Sequence, residues 1–245
     1  LYCGSSTTTT TTVAPSSKFR CKFRVGDVRT IASNTFLRLG ELTYSDDGTL
    51  RTWELVQRNN NGNERHSSQQ QQQHVSVDAV DIRVRVRSSH GPEKTVLVAQ
   101  YRPPLDAYCI EFPAGLIDPG ESPIAAALRE LREETGFVAT GASCHVSPVL
   151  AYEPGLSDSC FHLVTVDVDG DLKENQHPVP QQEETEDIRM FLVSHGREML
   201  TDIEHFQRLL EVEHSTSETV KPSFQTIVDA KVYAYALALQ SLNPQ

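Results

Sequence analysis

A chain of 245 residues allows one large domain, or one domain with a smaller module, and is long enough to bury a core. Its net charge of -11 argues against a general nucleic-acid binder, whose phosphate contacts need a basic surface; a small anion would have to meet local cations or a metal. Five cysteines, at 3, 21, 109, 144 and 160, include no CxxC pair and indicate neither a disulfide framework nor a zinc site, and no apolar run approaches the ~18 residues of a membrane span. Reduced thiols in a soluble intracellular protein are the default, with no membrane partner.

Residues 1–28 read as a flexible tail rich in serine and threonine, with six consecutive threonines from Thr7. No acid precedes Asp27, whereas Lys18, Arg20, Lys22 and Arg24 are basic, which faintly resembles an organellar transit peptide; a plain disordered leader accounts for it more simply. The expected location is the cytoplasm, with the nucleus admitted and mitochondrial import left open. Residues 29–75 form a small β module: TFLRLGELTY and TLRTWELVQR flank an Asp46-Asp47-Gly48 turn, a hairpin signal, and a glutamine-rich loop follows over Asn59 to His74. A hairpin of this size is not stable alone, so it should pack on the main domain or on another subunit.

The main domain is expected over 76–245. Strands are predicted at 77–87, Thr95–Tyr101 and Tyr108–Phe112, with Gly91-Pro92 as a turn and Arg102-Pro103-Pro104 breaking the second strand. A helix is predicted over about 123–135, because Ser122 caps its start, Pro123 suits the first position and Gly136 supplies a left-handed stop. Strands then follow at His145–Tyr152 and Cys160–Val168 around Glu153-Pro154-Gly155-Leu156-Ser157, a polar loop covers 170–185, and a last strand spans Ile188–Val193. Two helices close the chain, one through Ile203, Phe206, Leu209 and Leu210, the other through Ile227, Ala230, Tyr233 and Leu237.

In the predicted helix, Ile124, Ala127, Leu128 and Leu131 fall on one stripe, while Glu130, Glu133 and Glu134 gather on the other side and Arg129 borders them. Viewed alone, such a helix is more often a solvated acidic face. Three carboxylates so close also suit a cation among them, and hard oxygen ligands point to Mg2+ or Mn2+.

Gly115, five residues, Glu121, seven residues, Arg129-Glu130-Leu131, one residue, Glu133-Glu134, one residue, Gly136-Phe137 reproduces without a gap the signature of the Nudix hydrolases. Nine specified positions at fixed spacing, five of them charged, are far more specific than a short glycine motif. The segments RTWELVQR, QYRPPLDAYCIEFPAGLID, EPGLSD and VYAYALAL extend the resemblance over roughly residues 36–242, toward the ADP-ribose and ADP-sugar pyrophosphatases of that family.

The resemblance implies an α+β Nudix fold, a mixed sheet sandwiched between helices, with a small N-terminal antiparallel β module. It implies an enzyme: Mg2+-dependent hydrolysis of ADP-ribose and other ADP-sugars to AMP and a sugar phosphate. The other readings are a hydrolase of oxidised guanine nucleoside diphosphates and a non-catalytic nucleotide sensor. Carried over residue by residue, the metal site is Ala114 through its carbonyl, Glu130, Glu133 and Glu134. The catalytic group is Glu186, as general base with Glu183 and Glu184 as competitors, together with Glu133 and Arg129, the last orienting the acidic helix. The substrate-binding set is Phe36, Trp53, Glu54, Arg58, Arg102, Leu116 and Glu153. Glu153 departs from the aspartate of close relatives. The same resemblance implies a homodimer with a domain swap, in which Trp53 and the partner's aromatic at position 36 stack on the adenine.

Overall fold

The computed structural model describes residues 23–59, 77–182, 187–215 and 225–242. The chain divides into two compact units, the first within Leu1–Gln69 and the second within Gln70–Gln245.

The first unit is a three-stranded antiparallel sheet of β1 (Phe23–Ser33), β2 (Leu37–Asp46) and β3 (Thr49–Arg58), in that order. The expected hairpin is β2–β3. Its register runs unbroken from Leu37↔Arg58 to Asp46↔Thr49, and Asp47 (φ 51) and Gly48 (φ 85) make the left-handed turn. The expectation of a tail to residue 28 is corrected: residues 23–28 begin β1, which has two register shifts against β2 and therefore shows no clean alternation in sequence. Most of the glutamine-rich loop, and residues 1–22, lie outside the described residues.

The second unit contains β4 (Ala79–Arg87), β5 (Lys94–Arg102), β6 (Ala107–Glu111), β7 (Ala114–Leu116), α1 (Pro123–Thr135), β8 (Cys144–Val146), β9 (Leu150–Ala151), β10 (Cys160–Asp169), α2 (Lys173–Gln176), β11 (Ile188–Ser194), α3 (Met199–Ser215), β12 (Gln225–Val228) and α4 (Ala230–Leu242). Its nine strands form one mixed sheet, with β10 parallel to β4 and β12 parallel to β6. The strand expected over His145–Tyr152 is two short pieces, each pairing with β10. Ile227, expected on the last helix, belongs to β12, which ends before Asp229 starts α4.

One feature of the sheet positions the site. Strand β5 pairs with β4 through residues 94–96 and with β6 through residues 98–102, while β4 pairs with β7 through residues 79–81. Strands β4 and β5 thus part like a fork, and the segment 107–116 fills it. The Ile82 N–H donates to the Pro113 carbonyl at 2.7 Å in its crotch.

Two cores flank the sheet. Val80, Ile82, Val84, Val164 and Val166 meet Ala126, Ala127 and Leu131 of α1 on one side. Leu97, Ile110, Phe112 and Val193 meet Met199 and Ile203 of α3 and Val232 and Ala236 of α4 on the other. The expected sheet between helices is what forms, because each helix has one apolar stripe to bury. Among the described residues no helix is long and apolar enough to cross a membrane, and Cys109, Cys144 and Cys160 form no disulfide.

Candidate active site

Helix α1 begins and ends where its capping residues dictate. The Ser122 hydroxyl accepts from the Ala125 N–H at 3.2 Å, Pro123 takes the first position, and Gly136 (φ 75) closes the helix by donating to the Arg132 carbonyl at 2.9 Å. The loop before it turns at Gly120 (φ 84), where the Glu121 N–H donates to the Asp118 carbonyl and Glu121 accepts in return from the Asp118 N–H.

Arg129 gathers the acids of the motif. Its Nε and Nη2 grip both Glu121 oxygens at 3.1 and 2.9 Å, Nη1 reaches Glu130 at 2.7 Å and Glu133 at 3.2 Å, and Nη2 also donates to the Leu116 carbonyl at 2.9 Å. The hydrogen bonds from Arg129 hold the Glu121 carboxyl below its ordinary pKa, and those to Glu121 first, then Glu130, raise the guanidinium further. Arg129 therefore ties the helix to the loop and to β7, the orienting role expected of it, and Glu121 is its main partner.

Glu134 corrects the expectation that all three glutamates lie opposite the apolar stripe. It is 6% exposed and shares the buried stripe with Ala127 and Leu131, because positions 127 and 134 are about two turns apart. Its Oε2 accepts from the Ala114 N–H at 3.1 Å. Glu130 lies beside it against Gly115, where a Cβ would fall 1.9 Å from Glu130 Oε1; only glycine lets that carboxylate reach the strand. The structure thus brings Ala114, Leu116, Arg129, Glu130, Glu133 and Glu134 together at the join of α1 and β7.

Arg102, at the end of β5, points its fork at Glu111 on β6: Nε donates to one carboxylate oxygen at 2.8 Å and Nη2 to the other. The hydrogen bonds it donates to Glu111 dominate in raising the Arg102 pKa, and the Glu134 charge adds a small part, so Arg102 lies within the field of the acidic helix. Glu111 stands inside the IEFPAG segment quoted above, yet received no role there; a carboxylate at a strand end carries no signal until the hairpin folds it onto an arginine. Glu153 opens an exposed turn whose Leu156 and Ser157 N–H groups donate to its carbonyl at 3.0 and 2.9 Å.

In the N-terminal sheet the pleat separates the remaining candidates. Trp53, 49% exposed, falls on one face and Glu54 and Arg58 on the other, while Phe36, 74% exposed, lies in the bend just before β2. With Trp53 opposite Leu42, Phe36 lies about six residues, or roughly 20 Å, further along the strands. Glu186, with Glu183 and Glu184, lies outside the described residues.

Among the described residues no three His, Cys, Asp or Glu side chains converge as a ready-made coordination shell, since Arg129 draws Glu130 and Glu133 to itself. The donor chemistry nonetheless fits a hard divalent cation. The four carboxylates Glu121, Glu130, Glu133 and Glu134 against the one guanidinium of Arg129 leave an excess of three negative charges within the set, and all donors are oxygens.

A family model of the NUDIX domain matches residues 75–209, more than half of the chain. The chain is 37% identical over 214 residues to the ADP-sugar pyrophosphatase of Mus musculus, covering 87% of this chain and 85% of that protein. It is 40% identical over 160 residues to the ADP-ribose pyrophosphatase of Saccharomyces cerevisiae, covering 64% of each. A solved structure of an ADP compounds hydrolase, 20% identical, superposes with a TM-score of 0.54 over 92% of this chain and 96% of that one, a likeness of fold. Motif, fold and matched domain agree, and the chain belongs to the Nudix hydrolase family.

Proposed function

We propose that the protein hydrolyses the diphosphate of ADP-ribose and other ADP-sugars, releasing AMP and a sugar phosphate, with Mg2+ as the working cation and Mn2+ able to replace it. The observation that carries this is the acidic set on α1, gathered by Arg129 against the Ala114–Leu116 strand with Arg102 in its field. The relatives named for ADP-sugar and ADP-ribose hydrolysis share most or about two thirds of the chain.

Glu130, Glu134 and the Ala114 carbonyl would hold the cation, with Glu133 assisting. When bound there, it screens the diphosphate charge that otherwise repels a nucleophile. The protein's own groups do the rest. Arg129 keeps the carboxylates in place, Arg102 offers a cation to the substrate anion with Glu111 fixing its orientation, and Glu186 is assigned to take a proton from water. Leu116 and Glu153 face the sugar end.

A homodimer completes the reading. Two rings roughly 20 Å apart along one sheet cannot sandwich one base, so the adenine is assigned to Trp53 of one copy and Phe36 of a second, with Glu54 reading its edge and Arg58 meeting phosphate. Steady-state AMP release from ADP-ribose tests the cation site. Glu134→Gln should lower kcat by at least about 100-fold, the loss of several kcal/mol of charge stabilisation; turnover equal to wild type would remove Glu134 from the site.

A further inference from the structure

Asp81, on β4, is the most deeply buried carboxylate among the described residues, at 2% exposure, and it lies outside the acidic helix. One oxygen accepts from the Tyr152 hydroxyl, and the other faces the Lys231 ammonium at 3.3 Å. Lys231 also meets Asp229 at 2.9 Å and sits 4.9 Å from the Tyr152 ring and 5.6 Å from that of Phe161. Those two rings stack at 4.2 Å. Asp229 is pinned in turn: its N–H donates to the Ile110 carbonyl, and its side chain caps α4 by accepting from the Lys231 N–H at 2.7 Å.

Burying the Asp81 carboxylate beside a half-buried ammonium costs desolvation that an apolar pairing would avoid, so stability alone is a poor reason for this contact. Burial pushes the Asp81 pKa up, against Lys231 and Tyr152; burial also works to lower Lys231, and Asp81 with Asp229 outweighs it. What the group touches gives a better reason. Asp81 stands opposite Ala114 in the β4–β7 ladder, and Tyr152 is the last residue before the Glu153–Ser157 turn, whose neck is closed by the Tyr152 N–H on the Ser159 carbonyl at 3.1 Å. One node, buried at Asp81 and reaching the surface at Tyr152 and Lys231, therefore joins the strand paired with Ala114 to the base of the exposed turn.

We propose that Asp81, Lys231 and Tyr152 form a positioning node by which the C-terminal helix holds the Glu153–Ser157 turn in place for the sugar end of the substrate. None of the three touches the reacting atoms; they act through the turn. The assignment of the turn to the sugar rests on the function proposed above, whereas the anchoring does not.

Hydrogen exchange and kinetics on the full chain separate the two. Tyr152→Phe removes only the hydroxyl, and Lys231→Met keeps the stem while removing the charge. If Lys231→Met fails to fold, Tyr152→Phe and the double variant Asp81→Asn/Lys231→Met carry the test. Loss of one hydrogen bond to a charged group should speed amide exchange over 152–159 about tenfold and raise KM for ADP-ribose by a similar factor, with kcat within about twofold and α1 exchange unchanged. Exchange over 152–159 equal to wild type, or faster exchange spread evenly through α1 and the core, would overturn the anchoring. A fall in kcat at constant KM would overturn the positioning role. Faster exchange confined to 152–159 in the variants, with a wild-type protein that releases no AMP, would defeat the functional reading and leave the anchor standing.

Discussion

Gly115 and Glu130 show how little room the site leaves. A methyl group at Gly115 would displace the Glu130 carboxylate, and that side chain is flexible enough to move without disturbing the core. Gly115→Ala should therefore lower kcat by roughly 100-fold, as an ångström-scale misplacement does, while Tm changes little; kinetics beside a thermal melt checks both halves. Glu121 makes a prediction about acid. Its folded pKa lies below the ordinary glutamate value of about 4.3, so its contribution to stability is full above that pH and is lost as the pH falls through the lowered folded pKa. Wild-type Tm should drop over that acidic interval, and Glu121→Gln should flatten the drop. Among single residues, the charged motif was legible because its spacing is fixed by a helix. The burial of Glu134 was not, because the acid-against-apolar sorting of α1 hid a carboxylate aligned with Ala127.

Elements were readable where their ends carry chemistry. Helix α1 runs from Pro123 to Thr135 as its cap and stop residues foretell. Gly136→Ala would place a Cβ 2.3 Å from the Val179 backbone nitrogen and force a left-handed alanine, so it should cost about 2 kcal/mol or more, read as a lowered midpoint in urea. Strands β1, β7 and β12 were invisible for a physical reason. The first is bulged, and the other two have three and four residues, whose pairing with β4 and β6 is decided by partners far away in the chain. Spacing placed Ile227 on a helix because Ile227, Ala230 and Tyr233 share a helical period, whereas the Asp229 cap is what ends the strand and starts α4.

At the scale of the whole molecule, the sheet between helices follows from alternation and periodicity, but the purpose of the N-terminal sheet does not. That unit exposes Ile31, Phe36, Leu37, Leu39, Leu50 and Trp53, more apolar surface than three strands can hide by themselves. If two copies share each adenine site, Phe36→Ala and Trp53→Ala should each raise KM. Mixing and re-annealing the two variants should then restore activity above either alone, because a mixed dimer carries one intact site; a mixture no better than its parts would contradict the shared site. The claim beneath all of this is hydrolysis of an ADP-sugar diphosphate, and phosphorus NMR of ADP-ribose with the full chain and Mg2+ tests it most directly. The account predicts that the diphosphate resonances give way to two monophosphate signals, those of AMP and ribose 5-phosphate, and that a chelator stops the conversion. Diphosphate resonances that persist unchanged with active cation present would contradict it.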